Sequence, residues 1–127
     1  MKILIVDDSL MDRKLLINVL KKKGIENEIL QASDGEQGLK VLSDNHQDIG
    51  LILLDWQMPN IDGIEFMQGV VNVPTVSNIP IIMITASGSE DNQKHARSVN
   101  PKLAGYVVKP YRPDDLVELI KKTLNNG

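Results

Sequence analysis

Apolar residues in this chain fall into two rhythms. Short unbroken runs occupy residues 3–6, 51–54, 81–84 and 106–108. Between them lie stretches in which apolar side chains recur every three or four positions. Unbroken short runs read as strands buried on both faces, as in a parallel sheet, and the spaced pattern reads as helices laid against it. Ser9 is placed to cap a first helix carrying Met11, Leu15, Leu16, Val19 and Leu20, which Gly24 closes. Residues 28–32 form a weaker second strand, and Ser33-Asp34-Gly35 turns into a helix with Leu39 and Leu42 inward. A third strand spans 49–54. The loop 56–63, with Pro59 and Gly63, leads to a helix ending near Val70. Pro74 and Pro80 bracket the next connection, and the fourth strand comes after it at 81–84. Residues 87–98 make a polar, weakly periodic helix that Asn100-Pro101 ends. After a fifth strand at 105–108, Pro113 suits the first turn of a last helix with Leu116, Leu119, Ile120 and Leu124 on its inner face. Strands and helices in strict alternation with short loops predict an α/β fold: right-handed crossovers and one parallel sheet.

Composition narrows the class. At 127 residues the chain fits one domain able to bury roughly two-thirds of its unfolded surface. Fourteen basic against seventeen acidic residues, a net charge of -3, leave no basic stripe to neutralise a nucleic-acid backbone. The one basic run, Lys21-Lys22-Lys23, falls where the first helix ends and suits its dipole. With no cysteine, disulfides and thiolate metal sites are excluded. Neither a signal peptide nor a membrane span is visible, which makes the cytoplasm the expected location.

The residues that end the apolar runs carry the chemistry. The first strand runs into Asp7 and Asp8, the third into Asp55, the fourth into Thr85 and the fifth into Lys109. Open α/β sheets bind ligands beyond the carboxyl ends of their strands, so these groups should meet at one edge. If the first and third strands are neighbours, their terminal carboxylates lie about 5 Å apart and repel by roughly 3 kcal/mol at an effective dielectric of about 20. Such a pocket calls for a cation, and oxygen ligands favour magnesium or manganese over zinc. Capping of the next helix accounts for one aspartate but not for a matching acid on another strand. Lys109 at that edge pairs with a carboxylate and with an arriving anion. The Thr85 hydroxyl is a further donor, although a β-branched residue also belongs in a strand on packing grounds alone.

Together, Val6-Asp7-Asp8-Ser9, Asp55-Trp56-Gln57-Met58-Pro59-Asn60-Ile61-Asp62-Gly63, Ile84-Thr85-Ala86 and Tyr106-Val107-Val108-Lys109-Pro110 resemble the response-regulator receiver family over nearly the whole chain. The resemblance implies a doubly wound, flavodoxin-like sheet of five strands in the order 2-1-3-4-5 with five helices. It implies one receiver domain over residues 1–127 with no output domain, serving two-component signal transduction. Asp55 would accept a phosphoryl group from the phosphohistidine of a sensor histidine kinase. Asp8, Asp55 and the backbone carbonyl of Gln57 would hold Mg2+ (or Mn2+), with Asp7 acting through water. Lys109, Thr85 and the Ala86 amide would contact phosphoryl oxygens, and Tyr106 would swing inward as Thr85 moves. Gln57 and Ser87 stand at positions that tune acyl-phosphate lifetime, and the Lys109-Pro110 bond is often cis in such domains. The resemblance further implies no enzymatic activity beyond the domain's own phosphotransfer and dephosphorylation. It points to an unidentified downstream protein partner, to no nucleic acid or membrane, and to a monomer or weak dimer. Two stretches depart from the family, 101–105 before the fifth strand and Ile49-Gly50 in the third. His46, His95, Met58, Met67 and Met83 are assigned to surface, loop or core.

Three rival readings are weaker. A haloacid-dehalogenase-type magnesium phosphatase wants a second acid two residues after the nucleophile, where Gln57 stands. A flavin binder on the same topology would offer hydroxyls and amides, not Asp7-Asp8, to a phosphate. A pseudo-receiver would lack part of the set, and none is missing. A receiver excised from a larger regulator, or a phosphorelay intermediate, stays as open as a motility regulator.

Overall fold

The computed structural model describes residues 1–126. Ten elements alternate as β1 (Lys2–Val6), α1 (Leu10–Lys22), β2 (Ile29–Ala32), α2 (Gly35–Asn45), β3 (Ile49–Leu54), α3 (Gly63–Val71), β4 (Ile81–Thr85), α4 (Glu90–Val99), β5 (Gly105–Val108) and α5 (Pro113–Asn126). All pairings are parallel, in the order β2-β1-β3-β4-β5. Val6 stands opposite Leu54, Leu54 opposite Met83, and Thr85 opposite Val108, so four strands end almost level.

Alternation along each strand explains the two-sided burial. Leu4, Val6, Ile52, Leu54 and Met83 face Leu42, Phe66, Met67, Val70 and Ala96 of α2, α3 and α4. Ile3, Ile5, Leu51, Leu53, Ile82 and Ile84 face Leu16 and Leu20 of α1 and Leu116, Val117 and Ile120 of α5. Polar caps start the helices. Ser9, Asp34, Asp62 and Ser89 each accept the N–H three residues on, and Asp62 with Glu65 completes a capping box.

The helices deviate from expectation in two places. Only Leu16 and Leu20 of α1 are buried; Met11 and Leu15 stand 70% and 55% exposed. Their shared helical stripe is wider than the strip that contacts the sheet. The polar helix expected from residue 87 starts at Glu90, because Ser87 and Gly88 are used in the turn out of β4 and Ser89 is the cap. In α5 the inner face is Leu116, Val117 and Ile120, with Leu119 and Leu124 only partly covered. No helix among the described residues is long and apolar enough to cross a membrane.

Candidate functional site

Asp7 and Asp55 continue the sheet ladder past the strands that precede them. The Asp7 N–H donates to Ala32 O at 3.1 Å and the Asp55 N–H to Val6 O at 2.9 Å. Lys109 does the same beyond β5, its N–H donating to Thr85 O at 2.9 Å. Backbone pairing therefore carries the chemistry-bearing side chains to one edge. Asp8, Asp55, Gln57, Thr85, Ala86 and Lys109 line a single cleft there of about 550 Å³. Asp7 lies below it, bordering an apolar cavity of about 360 Å³ between α1 and the β5–α5 turn.

Each carboxylate is held differently. Asp55 Oδ1 accepts the Trp56 N–H at 2.6 Å, and Oδ2 lies 3.3 Å from Lys109 Nζ. Asp7 Oδ1 accepts the Ser9 N–H at 2.9 Å while Oδ2 lies 3.0 Å from the same ammonium. Asp8 is exposed at the mouth of the cleft. Arg13 donates to the Asp7 carbonyl and, through Nε, to Gln31 Oε1 at 3.0 Å, so α1 is tied to both β1 and β2. The loop after Asp55 is pressed close. A Cβ on Gly63 would lie 2.4 Å from Asp55 O and 2.9 Å from Trp56 Cα. The Gly63 N–H donates to Trp56 O at 2.7 Å. Asn60, at φ 68°, turns that loop, and its amide donates to Asp34 Oδ2.

Electrostatics follow from sharing. Burial raises the Asp7 carboxyl above its usual range, and the Ser9 N–H and Lys109 only partly oppose it. Burial works the other way on Lys109, but hydrogen bonds to Asp12 and Asp7 and the charges of Asp55 and Asp7 outweigh it and lift the ammonium above the ordinary lysine range. Burial likewise raises both Tyr106 and Tyr111.

The hydroxyl that ends the fourth strand is engaged in the turn that follows it. Thr85 Oγ1 accepts the Ser87 N–H at 3.3 Å, Tyr106 Oη donates to the Ser87 carbonyl, and the Asn92 amide donates to the Ser87 hydroxyl. Ser87 thus joins β4, β5 and α4. Trp56 faces His95 of α4 with ring centroids 6.1 Å apart. His95 is exposed as expected, yet it touches the residue next to Asp55. The Lys109-Pro110 bond is cis.

Asp7, Asp8, Asp55, Gln57, Thr85, Ala86 and Lys109 are brought to one edge, Tyr106 reaches only the Ser87 carbonyl beside it, and two residues join them. Asp12 of α1 puts Oδ2 at 2.9 Å from Lys109 Nζ, and Asn92 braces the β4–α4 turn. Neither ends an apolar run. The one trace Asp12 leaves in the sequence is its place in the first helical turn behind the Asp7-Asp8 pair. The donor chemistry suits a hard divalent cation, since Asp7, Asp8 and Asp55 each offer an oxygen within 4.8 Å of the others.

Comparison with known proteins agrees with this geometry. Residues 3–121 match the response regulator receiver domain model. The chain is similar to a chemotaxis protein CheY homolog of Campylobacter jejuni, 32% identical over 130 residues, covering all of this chain and 95% of that protein. It is also similar to the phosphate regulon transcriptional regulatory protein PhoB of Pseudomonas aeruginosa, 38% identical, covering 96% of this chain and 51% of that one. The solved structure of chemotaxis protein CheY4 of Vibrio cholerae superposes with a TM-score of 0.83 at 28% identity, over 96% of this chain and 97% of that one. With acids, hydroxyl and lysine converging on the edge where such a sheet binds its ligand, the chain belongs to the response regulator receiver domains, of the CheY type.

Proposed function

We propose that Asp55 is the phosphoacceptor of this receiver and that a sensor histidine kinase supplies the phosphoryl group. The observation that carries the reading is the position of the Asp55 carboxylate, half-enclosed at the end of β3, with Lys109 Nζ at 3.3 Å and the oxygens of Asp7 and Asp8 beside it. An Asp55 oxygen attacks phosphorus, the bond from phosphorus to the kinase imidazole nitrogen breaks, and the imidazole departs with the electron pair. An anion attacking an anion needs its repulsion offset, so catalysis here is positioning and charge stabilisation. Lys109 supplies one positive charge. Asp8, Asp55 and the Gln57 carbonyl, with Asp7 behind them, would hold Mg2+ or Mn2+, which supplies the other when bound.

The acyl phosphate adds close to two negative charges at neutral pH, by analogy with other phosphorylated side chains. Besides Lys109, the Thr85 hydroxyl and the Ala86 N–H, on residues that line the same cleft, are the donors that would receive them. Thr85 must give up the Ser87 N–H to do so, and Ser87 holds the Tyr106 hydroxyl. Charge at Asp55 is thereby passed to the face of β4, α4 and β5, where a downstream protein would read it. Dephosphorylation in the same cleft resets the switch, and the action fits a cytoplasmic kinase domain. A Mg2+-dependent phosphatase acting on other substrates is not favoured, since the family is one of signalling receivers.

Acetyl phosphate with Mg2+ is expected to add one phosphoryl group, read as a mass shift, and Asp55→Asn is expected to abolish it. Equal labelling of the variant would remove Asp55 from the role. Labelling that survives chelation would remove the metal.

A further inference from the structure

Three carboxylates share the Lys109 ammonium, and the shortest contact goes to neither the strand acid Asp7 nor the proposed acceptor. Asp12 Oδ2 lies at 2.9 Å, against 3.0 Å for Asp7 and 3.3 Å for Asp55. An ammonium carries three donors, so three acceptors saturate it. A phosphoryl oxygen that comes to Lys109 has to displace one of them. Exposure decides which. The Asp12 side chain is 41% exposed, against 9% for Asp7 and 13% for Asp55. Water takes over the hydrogen bonds of Asp12 once it lets go, whereas Asp7, and Asp55 for as long as it is still an unbonded anion, would be left short of partners. Its position also leaves room to move. Asp12 sits in the first turn of α1, fixed through its backbone by Ser9 Oγ, and borders both the surface cleft and the apolar cavity beneath.

We infer that Asp12 is a positioning residue, a resting counter-ion that competes with the incoming phosphoryl group for Lys109 and so sets how readily the domain is phosphorylated. The inference rests on the phosphoacceptor reading of Asp55. Asp12 releases Lys109 when a stronger anion arrives and takes it back when the anion leaves.

The test is a beryllofluoride titration at saturating Mg2+, followed by Trp56 fluorescence. Asp12→Asn and Asp12→Ala should each lower the half-saturating concentration by about three- to tenfold, the range expected for one part-exposed charged contact. The fluorescence at saturation should stay that of the unsubstituted protein. Asp114→Asn, which removes an exposed acid that pairs with Lys23 instead, should leave the half-saturation where it was. Unchanged half-saturation in both Asp12 variants would overturn the inference, as would an equal gain in Asp114→Asn, which would reduce the effect to overall charge. An unsubstituted protein blind to beryllofluoride would overturn the phosphoacceptor reading, and this one with it.

Discussion

Burial pushes Asp7 and Lys109 in opposite directions, and their neighbours decide where each ends. Lys109 faces three acids and is more than compensated. Asp7 shares that one cation with Asp12 and Asp55, so the cost of its own burial is left largely uncovered. A carboxyl whose folded value lies above its unfolded one favours the fold when protonated. That contribution is fully present below about 3.8 and is lost as pH rises through the folded value. In chelator at neutral pH, Asp7→Asn should therefore be more stable than the unsubstituted protein, since the amide oxygen still accepts the Ser9 N–H. The advantage should shrink as pH falls toward 4. Urea unfolding across pH 4–7 measures it, and a difference flat in pH would contradict the assignment. Asp7, Asp8, Asp55, Thr85 and Lys109 are legible in the sequence because each stands where an apolar run stops. Asp12 is not. It lies on a helix surface, and its bond to Lys109 spans 97 positions of chain that only the folded sheet brings together. Ser87 and Asn92 are hidden for a related reason, because the path of the β4–α4 turn decides what they meet.

Strands are easier to read than helices, and the difference is physical. A strand in a parallel sheet is covered on both faces, so burial shows as an unbroken run. A helix touches the sheet along one strip, and nothing in its spacing says how wide that strip is. Leu15 and Met11 share the helical rhythm of Leu16 and Leu20 yet face outward. The start of α4 falls three residues later than its sequence predicts, because a polar helix offers no apolar stripe to mark where it begins. Loops that hold the site depend on small residues at close approaches. Gly63 opens α3 directly against the backbone of Asp55 and Trp56; the Met83 methyl beside it can yield, but those backbone atoms cannot. Gly63→Ala should cost roughly 1–3 kcal/mol by overpacking, read from thermal unfolding. Because the atoms displaced belong to Asp55 and its neighbour, labelling by acetyl phosphate should slow as well. A variant that loses stability but labels at the original rate would show that the loop absorbs the extra methyl away from Asp55.

Strand order connects the fold to the chemistry. β1 lies between β2 and β3, so the crossovers on either side of it leave in opposite directions and a crevice opens past its end. Into that crevice the sheet delivers Asp7, Asp8 and Asp55, with Asp12 beside them and the Lys109 ammonium among them. Four carboxylates facing one ammonium leave a formal charge of −3 in one pocket, equal to the net charge of the entire chain. The metal-free fold bears that repulsion, and a bound divalent cation relieves it, so binding and stability are linked. A ligand at tenfold excess over its dissociation constant adds about 1.4 kcal/mol to the stability of the state that binds it. Mg2+ should accordingly raise the melting temperature above that in KCl of matched ionic strength, where only general screening acts. Asp8→Asn should remove most of the Mg2+ increment. Since Asp8 is exposed, the substitution should cost the metal-free protein little of its own stability. If Mg2+ and matched KCl gave the same melting temperature, the acids would be a solvated cluster and the crevice no metal site.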